Sequence, residues 1–170
     1  VYSARHTGTG RGVAVKFLLA NEPDLRRRMQ REAMALGALA HPNVVGVLDV
    51  GEHDGTVFLV MELLAGKSLR DYVDGLILTP AEAIGLLMPA LQGVEAAHRA
   101  GILHRDLKPD NLFVLLDDEG VPFDTKVLDF GIARPIAGRG AIDITRSGAV
   151  VGTPKYMAPE QLRGSRDLGP

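Results

Sequence analysis

The 170-residue chain contains no cysteine, which excludes disulfides and thiolate metal sites and fits a reducing compartment. It also lacks any apolar run near the roughly 20 residues that span a bilayer, and it shows no signal peptide. We therefore expect a segment without membrane contact that is cytoplasmic, either by itself or as the cytoplasmic part of a membrane-anchored protein.

The sequence also has no excess of charge of one sign, since it contains 19 Lys and Arg residues and 21 Asp and Glu residues. The net charge of −2 gives no electrostatic footprint for nucleic acid, so we expect no nucleic-acid partner. What is present is the composition of an ordinary globular protein, with 46% hydrophobic and 24% charged residues. The length predicts one domain or part of one.

The first third of the chain has the pattern of a sheet with one inserted helix. Apolar runs rich in β-branched residues predict strands at 13–18, 44–50 and 56–61, and residues 52–55 predict the turn between the last two. A helix is predicted at 24–39.

The remainder is predominantly helical, with short strands. Thr79-Pro80-Ala81-Glu82 is a capping box at the start of a helix that contains Pro89, which should kink it at a cost of roughly 3 kcal/mol. Residues 134–152 lack a clear period and predict a long functional loop. Short strands are predicted at 102–103, 112–116 and 125–128.

A carboxylate on the apolar stripe of the first helix is the first sign of a site. Glu32 falls between Met29 and Leu36 on this stripe, where an ionised side chain is costly unless a cation meets it. Lys16, a single cation within an apolar strand, is the natural partner. The alternative is that Glu32 reaches round to solvent.

Two short polar segments follow, in a fixed order. The first packs acidic, basic and amide groups into one loop, a density typical of a functional site, and it reads His104-Arg105-Asp106-Leu107-Lys108-Pro109-Asp110-Asn111. The second places a carboxylate at the end of an apolar strand and reads Asp129-Phe130-Gly131. Neither segment is diagnostic alone, but their order along the chain is.

Together these segments resemble the signature set of protein kinases. The resemblance covers essentially the whole chain. Within the family, the sequence is similar to bacterial Ser/Thr protein kinases of the eukaryotic type. It rests on Val13-Ala14-Val15-Lys16, Glu32, the 104–111 loop, Asp129-Phe130-Gly131 and Ala158-Pro159-Glu160. It implies an α+β, bilobal fold, in which an antiparallel sheet with one key helix forms the N-lobe and helices form a partial C-lobe.

The resemblance also implies ATP and Mg²⁺ as cofactors and a protein Ser or Thr hydroxyl as the acceptor. Lys16, held by Glu32, would pair with the α- and β-phosphates. Asp106 would orient the acceptor hydroxyl, and Lys108 would neutralise the transferring phosphoryl group. Asn111 and Asp129 would hold Mg²⁺ as hard oxygen ligands.

The adenine site is expected where the first sheet ends. By resemblance Met61 is the gatekeeper, and the backbones of Glu62 and Leu64 would hydrogen-bond adenine. The apolar walls would be Val1, Ala14 and Phe113, although core packing explains each of these residues equally well. His104 resembles a packed member of the family's hydrophobic spine, together with Leu36, Val47 and Phe130.

Regulation is expected through the long loop. Arg105 directly precedes Asp106 and could capture a phosphate on Thr145 or Ser147, which lie where bacterial relatives autophosphorylate. Thr153 is expected to contact the catalytic loop. Ordinary loop hydroxyls are the alternative for Thr145 and Ser147, and a kinase dimer is the partner that phosphorylation in trans implies.

The glycines at 8–12 lie too close to Lys16 to be the phosphate loop of the family, so we interpret them as a turn between strands. We expect an N-lobe at 1–61 without its first strand and glycine loop, a hinge at 62–67, and a partial C-lobe at 68–170. Glu160 would then lack its arginine partner, so this exact chain is expected to be marginally stable and poorly active.

Two other functions remain open from the sequence. A pseudokinase scaffold would bind partners without catalysis, although the intact Lys16, Asp106, Asn111 and Asp129 argue against it. A small-molecule kinase would share the fold but would lack the long loop ending in Ala158-Pro159-Glu160.

Overall fold

The computed structural model describes residues 1–18, 23–130, 154–162 and 169 of the chain. Its α-helices are α1 (Pro23–Gly37), α2 (Leu69–Val73), α3 (Pro80–Arg99) and α4 (Pro159–Leu162). Its strands are β1 (Tyr2–Arg5), β2 (Gly12–Leu18), β3 (Val47–His53), β4 (Thr56–Glu62), β5 (Gly66–Ser68), β6 (Leu112–Leu116) and β7 (Pro122–Val127). The predicted α+β class is confirmed, and no helix in the described part is long and apolar enough to cross a membrane.

The first sheet is antiparallel, with the strand order β1-β2-β4-β3. Tight turns close two of its hairpins. Between β1 and β2 the chain turns with Gly10 at φ 70°, which confirms that these glycines form a turn between strands. Between β3 and β4, Asp54 and Gly55 have φ of 48° and 74°, as a two-residue hairpin turn requires.

Helix α1 packs one face against the first sheet. Met29, Ala33 and Leu36 follow one another at spacings of four and three residues, and all three are buried in the core. Leu18, Val57 and Leu59 supply the sheet side of the same core. The sheet and the helix therefore fix the positions from which Lys16 and Glu32 extend.

The second sheet has the order β5-β6-β7 and is covered by α3. The predicted capping box begins α3, since the Thr79 hydroxyl accepts from the Glu82 amide and the Glu82 carboxylate accepts from the Thr79 amide. The helix runs through Pro89 to Arg99 and buries a face of small and apolar residues, namely Leu86, Ala90, Gly93 and Ala97.

Two predicted strand segments were wrong, for reasons visible in the backbone hydrogen bonds. Residues 102–103 form no strand, because the Ile102 amide donates to the Ala97 carbonyl and closes the end of α3. Val44 and Val45 lie outside β3, because the Val45 amide donates to Val127 and the Val127 amide donates to Asn43. These residues link α1 to the second sheet.

Candidate active site

The loop before β6 brings the predicted catalytic side chains together. The Lys108 ammonium lies 3.1 Å from the Asp106 carboxylate. Asn111, which is buried in a 3₁₀ turn, donates to the Asp106 carbonyl at 2.8 Å and to its carboxylate at 3.3 Å. One amide therefore orients both the backbone and the side chain of Asp106, and the Lys108 ammonium faces that carboxylate.

His104 supports this loop from inside the core. Its ring is 3% exposed, packs 4.8 Å from the Phe130 ring, and has Nε2 2.7 Å from the Leu128 carbonyl oxygen. Its Nδ1 accepts from the Asp106 amide at 3.3 Å, so the ring proton belongs on Nε2, which donates to Leu128. Burial lowers the pKa of His104 and keeps the ring neutral. The ring therefore fixes the start of the loop.

Lys16 and Asp129 form the second part of the site. The Lys16 ammonium on β2 lies 2.7 Å from the Asp129 carboxylate, which follows β7. Asp129 has φ of 51°, a left-handed conformation that is uncommon outside glycine and is often found at functional sites. The ion pair joins the first sheet to the segment after the second sheet.

The expected pairing of Lys16 with Glu32 is not found among the ion pairs of the described residues. The Glu32 carboxylate instead lies 3.3 Å from Arg28, one turn earlier on α1. Burial raises the pKa of Glu32, and the positive charges of Arg28 and Arg105 partly oppose this rise. The i,i+4 spacing of Arg28 and Glu32 was visible in the sequence and indicates this local partner.

The residues expected around adenine come from both sheets: Ala14 and Met61 lie on the first sheet, Phe113 lies on β6 of the second, and Leu64 lies between the sheets in the chain. Ala14 and Met61 are directly paired across β2 and β4, and Met61 is 7% exposed. Leu64 and Phe113 are partly buried, whereas Val1 is 74% exposed. The first four therefore lie in or against packed structure, and Val1 faces solvent.

The Glu62 side chain has a role that the sequence did not indicate. Its carboxylate lies 2.6 Å from the Lys126 ammonium of β7 and accepts from the Gly46 amide at 2.7 Å. Its backbone amide donates to the Gly46 carbonyl at 3.0 Å. Glu62 thus joins the two sheets directly beside the expected adenine site.

Arg105 is held by a residue that sequence reasoning also missed. Its φ is 61°, and its carbonyl accepts from the Gln161 side chain at 2.9 Å. The same side chain accepts from the Ala158 amide at 3.0 Å and so caps α4. Of the expected regulatory positions, Thr145, Ser147 and Thr153 lie outside the described residues.

The site and the fold together define a protein kinase domain, and the family model with that description matches residues 1–169. The chain belongs to this family. The resemblance to bacterial Ser/Thr kinases is confirmed by two relatives named as such. The chain is 44% identical to the probable serine/threonine-protein kinase PknB of Corynebacterium glutamicum, over 96% of this chain and 26% of that protein. It is 41% identical to PknB of Mycobacterium tuberculosis, with the same coverage of both proteins.

Solved structures of kinases share the fold. The PknI kinase domain of Mycobacterium tuberculosis matches with a TM-score of 0.67 and 28% identity, over 89% of this chain and 60% of that one. Rad53 in complex with AMP-PNP matches with a TM-score of 0.69 and 29% identity, over 95% of this chain and 38% of that one. The chain spans about a quarter of the length of the curated relatives it matches.

Proposed function

We propose that the protein transfers the γ-phosphoryl group of ATP to Ser or Thr hydroxyls of proteins. The arrangement of Asp106, Lys108 and Asn111 carries this proposal. The acceptor oxygen attacks the γ-phosphorus, the bond to the oxygen bridging the β- and γ-phosphates breaks, and Asp106 takes the hydroxyl proton. Lys108, whose ammonium lies 3.1 Å from the Asp106 carboxylate, would stabilise charge on the transferring group.

The donor set fits a magnesium ion. Asn111 donates through Nδ2 to Asp106, so its amide oxygen is left as a hard ligand, and Asp129 adds a carboxylate. No cluster of three or more His, Cys, Asp or Glu side chains forms a metal site within the described part of the chain. One carboxylate and one amide suit Mg²⁺, which binds through few protein ligands and through substrate phosphates. The ion would neutralise charge that develops on the phosphates.

Lys16 is the candidate for the α- and β-phosphates, and the region around Ala14, Met61, Glu62, Leu64 and Phe113 is the candidate for adenine. Val1 belongs to the proposed adenine wall only if its exposed side chain turns towards the base. The related Rad53 structure carries AMP-PNP, an ATP analogue, which supports nucleotide binding by this fold.

We further propose control by phosphorylation of the loop hydroxyls at Thr145 or Ser147, captured by Arg105, with Thr153 contacting the catalytic loop. Two copies of the kinase would carry out this modification in trans. We propose a cytoplasmic location, in which the domain is either part of a cytoplasmic protein or the cytoplasmic part of a membrane-anchored one. Both ATP and protein substrates are available there.

The test uses the full-length protein, radiolabelled ATP and a generic acceptor such as myelin basic protein or casein. Asp106→Asn should abolish transfer but keep nucleotide binding, while Asp118→Asn in an exposed turn serves as the matched control. A Mg·ATP concentration of 100 times Kd should stabilise the folded protein by about 2.7 kcal/mol, and Asp129→Asn should remove this gain. If the wild-type protein bound Mg·ATP but transferred no phosphate to the acceptor, the result would refute the kinase hypothesis and favour a pseudokinase scaffold.

A further inference from the structure

The catalytic loop carries a carboxylate that none of the proposed phosphotransfer steps uses. Asp110 lies in the 3₁₀ turn Pro109–Asn111, directly before the Asn111 side chain that orients Asp106. Helix α2 packs against this turn and brings Arg70 to the Asp110 carboxylate. Arg70 Nε donates to one carboxylate oxygen at 2.6 Å, and Nη2 donates to the other at 2.8 Å. Two parallel hydrogen bonds of this kind fix the plane of the guanidinium against the catalytic loop.

Arg70 occupies Asp110 in the way that an arginine of an acceptor protein would. Both carboxylate oxygens of Asp110 are engaged, and the hydrogen bonds from Arg70 lower the pKa of Asp110 and keep it ionised. A Lys or Arg side chain of an acceptor protein would have to displace Arg70, so one ion pair would replace another without net gain. Asp110 therefore does not select basic acceptor segments while Arg70 is present.

Arg70 itself still has N–H groups to offer. Asp110 uses the Nε group and one N–H of Nη2, and the guanidinium has no other hydrogen-bond partner among the residues that the structure describes. The neighbouring carboxylate of Asp71 accepts instead from the Ser68 hydroxyl at 2.6 Å. The Arg70 side chain is 52% exposed, so an incoming molecule can reach the remaining N–H groups. Such groups on a guanidinium suit a carboxylate.

A second cation lies near Arg70, on the far side of the catalytic loop from α1 in the chain. Tyr156 lines one concavity together with Leu107 of the catalytic loop. Hydrogen bonds to Asp110 raise the pKa of Arg70 most, and Tyr156 adds a smaller electrostatic effect, as expected for a phenol near the guanidinium. The Lys155 ammonium lies 5.6 Å from the centre of the Tyr156 ring. Arg70 and Lys155 thus give this surface positive charge.

This surface is within reach of an acceptor segment bound at Asp106. Asp110 and Asp106 belong to the same short loop, and Asn111, next to Asp110, donates to Asp106. An extended segment advances about 3.3 Å per residue, so residues within about three positions of the acceptor hydroxyl cover about 10 Å on either side of it. A side chain of the acceptor segment in this range can meet Arg70.

We propose that Arg70 is a specificity-determining residue, which binds a carboxylate of the acceptor protein within about three residues of the Ser or Thr that is phosphorylated. Asp110 holds the guanidinium in place, and Lys155 adds electrostatic attraction. This inference rests on the proposed phosphotransfer and adds the class of acceptor, an acidic segment. Arg70 binds the acceptor away from the reacting atoms, so its contribution belongs to KM more than to kcat.

The test measures kcat and KM of the full-length protein for synthetic peptides with Mg·ATP. Each peptide has one Thr acceptor in a sequence of Gly and Ala, and the peptides differ only in whether Glu, Gln or Arg lies within about three positions of the Thr. The wild type should have a KM about fivefold lower for the best Glu peptide than for its Gln counterpart, at similar kcat, and the Arg peptides should be the poorest. A higher salt concentration should reduce this preference, because the contact is exposed.

Two variants locate the preference, and a third is the control. Arg70→Met removes the cation and frees Asp110, so the preferred peptide should change from Glu to Arg. Arg70→Lys keeps the charge without the planar fork and should retain only part of the preference for Glu. Arg99→Met removes another exposed arginine, which is paired with Glu95 at 2.6 Å, and should keep the wild-type order. Because the peptides are compared within one variant, a loss of folded protein lowers all their rates equally.

The proposal is overturned if the wild type phosphorylates a generic protein acceptor but does not distinguish the peptides, or if it prefers the Arg peptides. It is also overturned if Arg70→Met keeps the preference for Glu, because another group would then bind the carboxylate. Transfer to no acceptor at all would refute the kinase activity on which this proposal rests, so the two failures are distinguishable.

Discussion

The same substitution at two glycines of α3 should change stability in opposite directions. At Gly93, an added Cβ would lie 2.5 Å from the Asn43 carbonyl oxygen and 3.0 Å from its carbon. At Gly85, eight residues earlier on the helix, an added Cβ would meet nothing within 4 Å. The helix is common to both positions, but Gly93 is buried against Asn43 whereas Gly85 is exposed.

The magnitudes follow from helix propensity and packing. Alanine is favoured over glycine in a helix by about 0.5–1 kcal/mol, so Gly85→Ala should raise the free energy of unfolding by this amount. At Gly93 the same gain is opposed by overpacking, which costs about 1–3 kcal/mol. Asn43 cannot move freely, because its carbonyl accepts from Val127 at 2.8 Å and its side chain donates to Asp124 at 2.6 Å. We expect a net loss of about 1–2 kcal/mol.

Urea unfolding followed by circular dichroism measures both changes against the wild type, with unchanged m-values as the sign that the same transition is observed. The decisive quantity is the difference between the two variants, in which the helix-propensity gain cancels. If Gly93→Ala were as stable as Gly85→Ala, the close packing of α3 against Asn43 would be refuted.

Three further predictions concern polar contacts. Lys126→Met should lower the free energy of unfolding by about 2 kcal/mol, because it leaves the largely buried Glu62 carboxylate without its cation, as measured by urea unfolding. Thr79→Ala should cost about 1 kcal/mol through loss of the capping box, measured in the same way, and Thr79→Ser should restore most of it. His104 has a lowered pKa in the folded state, so the unfolded state binds more protons and stability should fall as pH decreases below about 6.5. His104→Asn should remove this part of the pH dependence of the melting temperature.

Each of these predictions has a contrary result. Glu95→Gln breaks an exposed ion pair with Arg99 and should change stability by less than about 0.5 kcal/mol, so an equal effect of Lys126→Met would contradict the buried link. A Thr79→Ser variant as unstable as Thr79→Ala would exclude the hydroxyl as the cause. For His104, an unchanged pH profile in His104→Asn would show that other groups govern the acid loss.

Features encoded by neighbouring residues could be predicted from the sequence. The capping box at Thr79 needs only four residues, and the hairpin turn at Asp54 and Gly55 needs only a backbone that tolerates positive φ. The loop from His104 to Asn111 is equally local, because Asn111 lies five residues from Asp106 and reaches both its carbonyl and its carboxylate. These contacts can be predicted because they join residues that are close in the sequence.

Contacts across long separations could not be predicted in the same way. Strand β5 has three residues and α2 has five, too few for a period to be read, and both form beside β6 and the 3₁₀ turn that precedes it. Val45 has the residue type of a strand, but its hydrogen bond goes to Val127, 82 residues further along the chain. Strand propensity alone therefore misplaced Val45, because the partner of its backbone is decided by the tertiary fold.

The pairing of Lys16 shows why residue identity does not fix a site. Lys16 and Asp129 are 27% and 35% exposed, and an ion pair at such exposure is worth only about 1 kcal/mol or less. Burial of Met29 and Leu36 on α1 is worth about 1.5–3 kcal/mol for each side chain. Apolar packing therefore sets the position of α1. The charged side chains of Lys16 and Glu32 then pair with the oppositely charged groups that lie close to them. Glu32 accordingly pairs with Arg28 on its own helix, and Lys16 with the carboxylate that follows β7.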